Sequence, residues 1–357
     1  MARPAMSLFR PAIDALDGYV PGEQPDQRDV IKLNTNENAY PPSPRALEAL
    51  RAIDAELLRR YPHPAADEFR RSAATVLGVD PGWILAGNGS DDLLTMLMRA
   101  VAAPGRAVAY PAPTYVLYRT LAAMQEAPVV EVPFDDTYAL PVDALVRAAA
   151  ELTIVANPNS PSGTAAPPDA LEALAARLDG VLVVDEAYAE FADHTALDLV
   201  RRSDRVVVLR TLSKSHGLAG LRLGFAVARP PLLAGLAKVK DSYNVDAVAA
   251  RVGAAAMRDV DHTRGTVARI REARSRLAAA LAGLGFHVWP SQANFLLARP
   301  PDGDARRLYD GLRSRGILVR YFAEPRLADA LRITVGTEAQ NARLTGALAE
   351  LMRPRPS

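Results

Sequence analysis

Short runs of apolar residues, many of them β-branched, recur through the first two thirds of this chain, and a polar cluster follows each run. The runs lie at residues 84–86, 107–109, 153–155, 181–184 and 206–209. They lack the apolar–polar alternation of a half-exposed strand, which is typical of strands buried on both faces of a mostly parallel sheet. Helical stretches separate the runs, so the sequence predicts an α/β fold built from strand–helix–strand crossover units.

The last third of the chain has a different pattern, which predicts a second, smaller α/β domain. A long helical stretch at 245–284 precedes strand candidates at 294–297, 317–319 and 331–334, with helices near 305–314 and from residue 338. The first 42 residues are rich in Pro and Asn, and we expect them to form an irregular arm that packs with the small domain. The predicted division of the 357 residues is an arm at 1–42, a large domain at 43–250 and a small domain at 251–357.

Two helices are predicted between the arm and the first strand. Ser43 followed by Pro44 is a typical helix start, with a capping hydroxyl and then proline at the first helical position. A helix is therefore expected over 45–60, ending before the proline-rich segment 61–64, and a second helix over 66–77.

Composition excludes several classes of function. The net charge of +1 and the scattered arginines give no indication of a nucleic-acid or membrane partner. The chain has no cysteine, which excludes disulfides and thiolate nucleophiles, and its five histidines are too far apart in sequence to predict a metal site. Neither a signal-peptide core nor an apolar stretch of membrane-spanning length is present, so a cytoplasmic protein is expected.

Lysine is rare in this arginine-rich chain, and Lys214 lies in a loop of small residues at 211–224. The other lysines are Lys32, Lys238 and Lys240. An amine can lose its proton and attack a carbonyl, whereas a guanidinium cannot at ordinary pH. A Schiff-base lysine that binds pyridoxal phosphate is one interpretation, and a surface lysine in a glycine-rich loop is the other. The lysine alone leaves both open.

The polar clusters should meet at one place, because ligands bind beyond the carboxyl ends of the strands in open parallel sheets. Gly89 and Ser90 open a predicted helix, where glycine and free N–H groups favour an anion such as phosphate. An ordinary turn capped by Ser90 is the alternative. Asp91 and Asp92 complicate the phosphate interpretation, since their carboxylates compete for the same N–H groups unless they point away.

Asp185 directly follows an apolar strand, where a carboxylate is costly to bury unless it meets a cation or a strong donor. A pyridinium nitrogen would be such a partner, and a helix cap or an ordinary loop aspartate is the alternative. Asn157 and Tyr188 could both hydrogen-bond a phenolate-like oxygen. Their alternatives are turn formation beside Pro158 and packing in the core.

Taken together, three segments resemble the active site of fold-type I pyridoxal-phosphate-dependent aminotransferases in order and spacing. They are Asn-Pro-Asn-Ser-Pro-Ser-Gly at 157–163, Asp-Glu-Ala-Tyr at 185–188, and the stretch from Ser213 and Lys214 to Gly224. Segments 18–22, 32–44, 61–62, 291–295 and 331–337 narrow the resemblance to the histidinol-phosphate aminotransferase family, over nearly the whole chain. Departures from the family pattern are Ala-Tyr-Pro at 39–41 and His216.

The resemblance implies a large domain with a mostly parallel central sheet flanked by helices, a smaller α/β domain, and pyridoxal 5'-phosphate as the cofactor. Lys214 would form the covalent link and move the substrate proton, Asp185 would keep the pyridine nitrogen protonated, and Tyr115 would stack on the ring. Asn157 and Tyr188 would bind the ring oxygen. The implied phosphate-binding groups are those of Gly89, Ser90, Asp91, Ser213 and Arg222, with Tyr61 reaching the phosphate in the neighbouring subunit of an obligate homodimer.

For the substrate, the resemblance implies that Arg332 meets the phosphate of histidinol phosphate, assisted by Arg320 and Tyr19. A surface ion pair is the alternative for Arg320. Asn36 and Asn294 would complete the substrate pocket. The Asn157–Pro158 peptide bond is expected to be cis, as in some relatives.

The implied reaction is transamination between L-histidinol phosphate and 2-oxoglutarate, giving imidazole-acetol phosphate and glutamate, within histidine biosynthesis. An aromatic amino-acid aminotransferase and a threonine-phosphate decarboxylase remain alternatives, because small changes in the pocket redirect substrate choice. A non-catalytic, regulatory homologue is a further alternative, against which the intact Lys214, Asp185 and Arg222 argue.

Overall fold

A computed structural model describes residues 7–16, 18, 22–24 and 29–353. The strands are β1 Ile31–Lys32, β2 Ile84–Gly87, β3 Val108–Ala112, β4 Val129–Pro133, β5 Leu152–Ala156, β6 Val181–Asp185, β7 Val206–Thr211, β8 Gly224–Val227, β9 His287–Val288, β10 Phe295–Arg299, β11 Ile317–Leu318, β12 Arg320–Tyr321 and β13 Leu331–Thr334. The helices are α1 Pro11–Asp14, α2 Pro44–Arg51, α3 Ala55–Leu58, α4 Asp67–Leu77, α5 Ser90–Val101, α6 Leu117–Met124, α7 Val142–Arg147, α8 Pro168–Arg177, α9 Leu197–Arg202, α10 Pro230–Ala237, α11 Ala247–Arg258, α12 Val260–Gly283, α13 Ala305–Arg313 and α14 Glu338–Leu351, with short 3₁₀ turns at Pro81–Trp83, Ala189–Phe191 and Ala219–Leu221.

Seven strands form the large sheet, in the order β2-β8-β7-β6-β5-β3-β4. Strand β8 is antiparallel to both of its neighbours, and the other pairs in the sheet are parallel. The α/β architecture with a mostly parallel central sheet is therefore confirmed.

The central strands are apolar because both of their faces are covered. In β5, Ile154 packs into the hydrophobic cluster that contains Leu94 of α5, whereas its neighbour Val155 packs into the cluster on the opposite face, which contains Leu171 of α8. Val183 and Val184 of β6 divide between the same two clusters. Successive side chains of a strand point to opposite faces, so a run without polar alternation is what a sheet between two helical layers requires.

A second, four-stranded antiparallel sheet has the order β12-β13-β10-β9 and packs with α12, α13 and α14 around its own core. Strand β1 of the arm pairs with β11 in parallel, and the backbone N–H of Thr334 donates to the carbonyl of Leu33. The start of the arm lies elsewhere, because Arg10 pairs with Glu126, just beyond α6 of the large sheet. The prediction of an irregular arm was therefore incomplete, since α1 and β1 both form.

Both long predicted helices are interrupted. The helix expected over 45–60 ends at Arg51 and restarts as α3, where the side chain of Asp54 accepts a hydrogen bond from the N–H of Leu57. The stretch 245–284 breaks at Asp259, which has φ −91° and ψ 61°. The break separates α11, which packs against α4 and α2, from α12, which packs on the small sheet. A single continuous helix could not pack against both cores.

A buried ion cluster joins the ends of β6 and β7. The Nε of Arg210 donates to Glu186 at 2.8 Å, its Nη1 donates to Glu190 at 2.8 Å, and its Nη2 donates to Thr195 at 2.8 Å. The Glu186 side chain is fully buried. Removing one partner of such a cluster leaves an uncompensated charge in a low-dielectric interior.

We expect Arg210→Met to destabilise the protein by about 3–5 kcal/mol, because it leaves two carboxylates near each other without their cation. The free energy of unfolding in urea measures this. The matched control is Arg177→Met, which breaks an exposed pair with Asp143 and should cost about 1 kcal/mol or less. Equal losses in the two variants would contradict the buried-cluster interpretation.

Candidate active site

The polar clusters that follow the strands of the large sheet meet around one cavity of about 480 Å³. It also receives the arm segment 34–37 and residues from β12 and β13. The predicted site residues that line it are Asn36, Ser90, Asp91, Tyr115, Asp185, Tyr188, Ser213, Lys214, Arg222, Arg320 and Arg332. Tyr19, also predicted, lies outside the residues that the structure describes.

One end of the cavity is an anion-binding cradle at the N-terminus of α5. Gly89 caps this helix with a positive φ of 82°, and Ser90 and Asp91 begin it. Arg222 lies beside it, with Nη1 3.4 Å from the Ser213 hydroxyl and Nη2 3.2 Å from the Asp91 carboxylate. A helix N-terminus next to a guanidinium and a hydroxyl is suited to phosphate.

Asp91 and Asp92, in the first turn of α5, do not both point into this cradle. The carboxylate of Asp92 turns back and accepts from the N–H of Asn88 and from the side-chain amide of Asn244, both at 2.9 Å. Asp91 instead meets Arg222 and the hydroxyl of Tyr115, the latter at 3.3 Å. The competition expected from the sequence is therefore limited to Asp91.

Strand β8, which the sequence interpretation missed, completes the cradle. Because β8 is antiparallel, its first residue lies at the same sheet edge as the last residues of β2 and β7. A Cβ on Gly224 would lie 2.6 Å from the Ser90 nitrogen, so only glycine allows this approach. The continuous apolar segment 223–228 was the available signal for this strand.

Asp185 is the last residue of β6 and is only 6% exposed. Burial raises the pKa of its carboxyl to about 6, against the opposing effect of the hydrogen bond from Tyr118. The Tyr118 hydroxyl donates to Oδ2 at 2.7 Å, and the N–H of Ala187 donates to Oδ1 at 3.2 Å. A cationic N–H donor from a ligand would favour the charged carboxylate here. Tyr118 was not predicted, since a tyrosine in an apolar helix resembles an ordinary core residue.

The arm segment docks onto the Lys214 loop. The Nζ of Lys214 donates to the carbonyl of Thr35 at 3.2 Å and lies 5.8 Å from the centre of the Tyr188 ring. The side chain of Asn38 donates to the carbonyls of Lys214 and Ser215. Lysine, arm and tyrosine are thus brought together on the lining of the cavity. Thr35 and Asn38 were missed as individual contacts, although they lie in the quoted segment 32–44.

Two predicted residues are close to the cavity but do not line it. Asn157 is buried behind Asp185, where its backbone N–H donates to the Asp185 carbonyl at 2.9 Å and its Oδ1 accepts from Ala166 at 2.7 Å. The peptide bond between Asn157 and Pro158 is cis, as expected. Asn294 is fully buried, and its side-chain amide donates to the carbonyl of Asn36 at 2.9 Å.

The end of the cavity that the small sheet supplies carries two guanidinium groups. Arg332 donates to the Ser160 hydroxyl at 3.2 Å and to the Asn34 carbonyl at 2.8 Å. Its guanidinium carbon lies 5.5 Å from the centre of the Phe322 ring, and that of Arg320 lies 5.3 Å from the same ring. Two arginines held at one end of a cavity are suited to an anionic substrate group.

Tyr61 does not line the cavity within a single chain. It is 82% exposed and stacks on Tyr243, with ring centroids 4.6 Å apart and an interplanar angle of 17°. Its predicted contact with a cofactor phosphate therefore requires a second subunit.

The sequence similarities agree with this geometry. Residues 28–348 match the family model described as aminotransferase class I and II. The chain is 54% identical, over 97% of its length and 99% of the other protein, to histidinol-phosphate aminotransferase 1 of Trichormus variabilis. The chain belongs to the histidinol-phosphate aminotransferase family.

Other members support the assignment. Histidinol-phosphate aminotransferase of Geobacter sulfurreducens is 48% identical, over 97% of this chain and all of that protein. The structure of the present chain is similar to the crystal structure of histidinol-phosphate aminotransferase from Sinorhizobium meliloti in complex with pyridoxal-5'-phosphate, with a TM-score of 0.90. The sequence identity to that structure is 28%, and the match covers 97% of this chain and 98% of that one.

The described part of the chain contains neither a membrane-spanning helix nor a metal-binding cluster. Within residues 29–353 and the described parts of the arm, no helix combines the length and apolar character needed to cross a bilayer. In the same residues, no group of three or more His, Cys, Asp or Glu side chains is placed to hold a metal ion.

We expect Asp185→Asn to stabilise the ligand-free protein at neutral pH. The folded-state pKa of Asp185 is raised from 3.8 to about 6, so the native state holds a proton that the unfolded state has lost. The stability that this proton confers is present below about pH 4 and is lost as the pH rises through about 6. The difference in unfolding free energy, variant minus wild type, should therefore grow between pH 4 and pH 7, to roughly 2–3 kcal/mol. A constant difference across this range would contradict the raised pKa.

Proposed function

We propose that this protein is a pyridoxal-phosphate-dependent histidinol-phosphate aminotransferase that uses 2-oxoglutarate as the amino acceptor. The observation that carries the proposal is that Lys214, Asp185 and the N-terminus of α5 all face one cavity. These groups match the aldehyde, the ring nitrogen and the phosphate of the cofactor. The near-full-length similarity to proteins named for this activity supports the substrate assignment.

The residues present fit the cofactor at each of its polar ends. The buried Asp185 carboxylate is held by a tyrosine hydroxyl and a backbone N–H, and a pyridinium N–H would supply the opposite charge. The cradle formed by α5, Ser213 and Arg222 would hold the phosphate. Lys214 lines the same cavity as these groups, and its amine would form the covalent link.

When bound, the cofactor supplies an electron-accepting ring for the electron pair left behind as the substrate C–H bond breaks. Asp185 would keep a proton on the ring nitrogen, and the ring would thereby remain an electron acceptor. Lys214 would hold the cofactor, and its amine would be the base that accepts the proton from the substrate carbon. Tyr188 and Tyr115 line the cavity and would serve the ring oxygen and the face of the ring. Asn157 would contribute to binding the ring oxygen only through its side-chain amide nitrogen, because its Oδ1 accepts from Ala166.

The substrate phosphate would bind the two arginines at the other end of the cavity. Arg332 is fixed by Ser160 and the Asn34 carbonyl, which lowers the entropy lost when it binds an anion. Arg320 would provide a second cation, with Tyr19 assisting. In the other half-reaction, the carboxylates of glutamate or 2-oxoglutarate would take the place of the phosphate.

The experiment that tests this function adds single amino donors to the purified holoenzyme and follows the cofactor absorbance as the aldehyde form converts to the amine form. The donors are histidinol phosphate, phenylalanine, tyrosine and threonine phosphate. Conversion should be fastest with histidinol phosphate. No response to histidinol phosphate would refute the assignment, and carbon dioxide released from threonine phosphate would identify a decarboxylase instead.

A homodimer is part of the proposal. Tyr61, Tyr243 and Leu58 are exposed large hydrophobic residues close in sequence or in contact, which is typical of a surface that an assembly covers. Tyr61 would then reach the phosphate in the neighbouring subunit. A cytoplasmic location also stays a prediction, which fractionation of expressing cells would test.

The division into an arm at 1–42, a large domain at 43–250 and a small domain at 251–357 likewise stays a proposal. The pairing of β1 with β11 supports placing part of the arm with the small domain. The packing of α11 against α4 favours moving the second boundary to Asp259, because α11 continues past residue 250 without leaving the large core.

We expect Lys214→Arg to abolish transamination almost as completely as Lys214→Ala, because retaining the positive charge does not restore a nucleophilic amine. Both variants should keep the fold and bind pyridoxal phosphate noncovalently. Turnover assays and the absorption spectrum of the bound cofactor measure these effects. Substantial turnover by Lys214→Arg would overturn the assignment of Lys214.

We expect two inactive variants, Tyr61→Ala and Lys214→Ala, to regain activity when they are refolded together. In a mixed dimer, the Tyr61→Ala subunit keeps its lysine and receives Tyr61 from its partner, so one complete site forms. Each variant refolded alone is the control. Activity that does not rise on mixing, or an active monomer on size exclusion, would contradict a shared site.

A further inference from the structure

Tyr188 uses its hydroxyl oxygen as an acceptor within the protein. The side-chain Nδ2 of Asn36 donates to this oxygen at 2.9 Å, and both residues are buried where they line the cavity. An amide nitrogen donates and does not accept, so the single hydrogen of the tyrosine hydroxyl cannot point at Asn36. That hydrogen remains available for a group in the cavity.

Thr334 determines which end of the Asn36 amide faces the tyrosine. The backbone N–H of Asn36 donates to the Thr334 hydroxyl oxygen at 3.0 Å, and that hydroxyl donates to the Oδ1 of Asn36 at 3.1 Å. Because Thr334 is buried, reversing the amide would leave its hydroxyl hydrogen without this acceptor. The Nδ2 is therefore directed at Tyr188.

The backbone at this position also favours asparagine. Asn36 has a φ of 56°, in the left-handed region that glycine, asparagine and aspartate tolerate best. The fully buried Asn294 holds this backbone by donating to the Asn36 carbonyl at 2.9 Å. Position 36 is thus fixed from two sides, by Asn294, which directly precedes β10, and by Thr334, the last residue of β13.

We propose that Asn36 is a positioning residue that holds the Tyr188 hydroxyl in the accepting role and so directs its hydrogen at the cofactor's ring oxygen. The sequence-based prediction placed Asn36 and Asn294 among the substrate contacts. The hydrogen bonds also form a relay, a chain that runs from Asn294 and Thr334 through Asn36 to Tyr188. This inference rests on the proposed function, because it requires a bound pyridoxal ring.

The relay should influence the protonation of the Lys214–cofactor link. A hydrogen bond donated to the ring oxygen withdraws electron density from it, so the oxygen competes less well for the proton on the linking nitrogen and the pKa of the link falls. Lys214 lies 5.8 Å from the centre of the Tyr188 ring, and Tyr118, which is hydrogen-bonded to Asp185, interacts electrostatically with both Tyr115 and Tyr188. None of these is altered by a substitution at Asn36.

The test is a spectrophotometric pH titration of the holoenzyme, which reports the pKa of the link without any turnover. Asn36→Gly keeps the positive φ and removes the amide, and it should raise this pKa by about one unit. Asn36→Asp should raise it further, because the introduced carboxylate accepts the tyrosine hydrogen. An unchanged pKa in Asn36→Gly, even with lower thermal stability, would show a merely structural role and overturn the proposal.

A double-mutant cycle with Tyr188→Phe separates the hydrogen bond from other effects. In the Tyr188→Phe background, Asn36→Gly should leave the pKa unchanged, since there is no hydroxyl to direct. The rise caused by Asn36→Asp should shrink to the part due to its charge alone. Equal shifts with and without the tyrosine hydroxyl would overturn the proposal.

Thr334→Val provides an independent test if the variants at position 36 do not fold. Without the threonine hydroxyl, the Asn36 amide can reverse and present its oxygen to Tyr188, so the pKa of the link should again rise. Wild-type protein that takes up no pyridoxal phosphate would refute the proposed function and this inference with it. A normal wild-type titration with no shift in any variant would refute the inference alone.

Discussion

The burial of the Asp185 carboxylate at the end of an apolar strand is the constraint on which the site depends. Burial raises the pKa of this carboxyl to about 6, because a charge in such a setting lacks the solvation of water. The Tyr118 hydroxyl and the Ala187 N–H offset part of that cost. The remainder would make the position a strong partner for the cationic ring nitrogen of the proposed cofactor-binding mode, because a paired positive charge would offset the cost of burying the carboxylate.

The rest of the structure brings the Lys214 loop and the anion-binding cradle to the same cavity as that carboxylate. Parallel pairing of β5, β6 and β7 brings Pro158, Asp185 and the Lys214 loop to one edge of the sheet. The antiparallel β8 adds Arg222 at the same edge, and Gly224 allows the close approach to α5. The arm then closes over Lys214, with Thr35 accepting from the lysine and Asn36 donating to Tyr188. These two hydrogen bonds join residues that lie 179 and 152 positions apart in the sequence.

Sequence patterns predicted five of the seven strands of the large sheet, because an unbroken apolar run between helices has few other solutions in a protein of this size, but they missed β4 and β8. The predictions failed where tertiary packing overrode local pattern. The helix at 245–284 looks continuous, but it breaks at Asp259, where α11 and α12 serve different cores. Strand β8 was missed because its short apolar segment directly follows the glycine-rich loop. Tyr118 was missed because Asp185, which accepts the hydrogen bond from its hydroxyl, lies 67 positions away in the sequence.

By itself, the sequence determined the fold class, the family and the residues able to do chemistry. The amine of Lys214 and the strand-end carboxylate of Asp185 can be identified from residue type and from their order along the chain. Only the tertiary structure decided what each candidate touches. It placed Asn157 and Asn294 behind the cavity, left Tyr61 exposed within one chain, and made Asn36 a partner of Tyr188. The physical reason is that a hydrogen bond requires a specific distance and direction between two groups, and neither is encoded locally when the groups lie on different sheets.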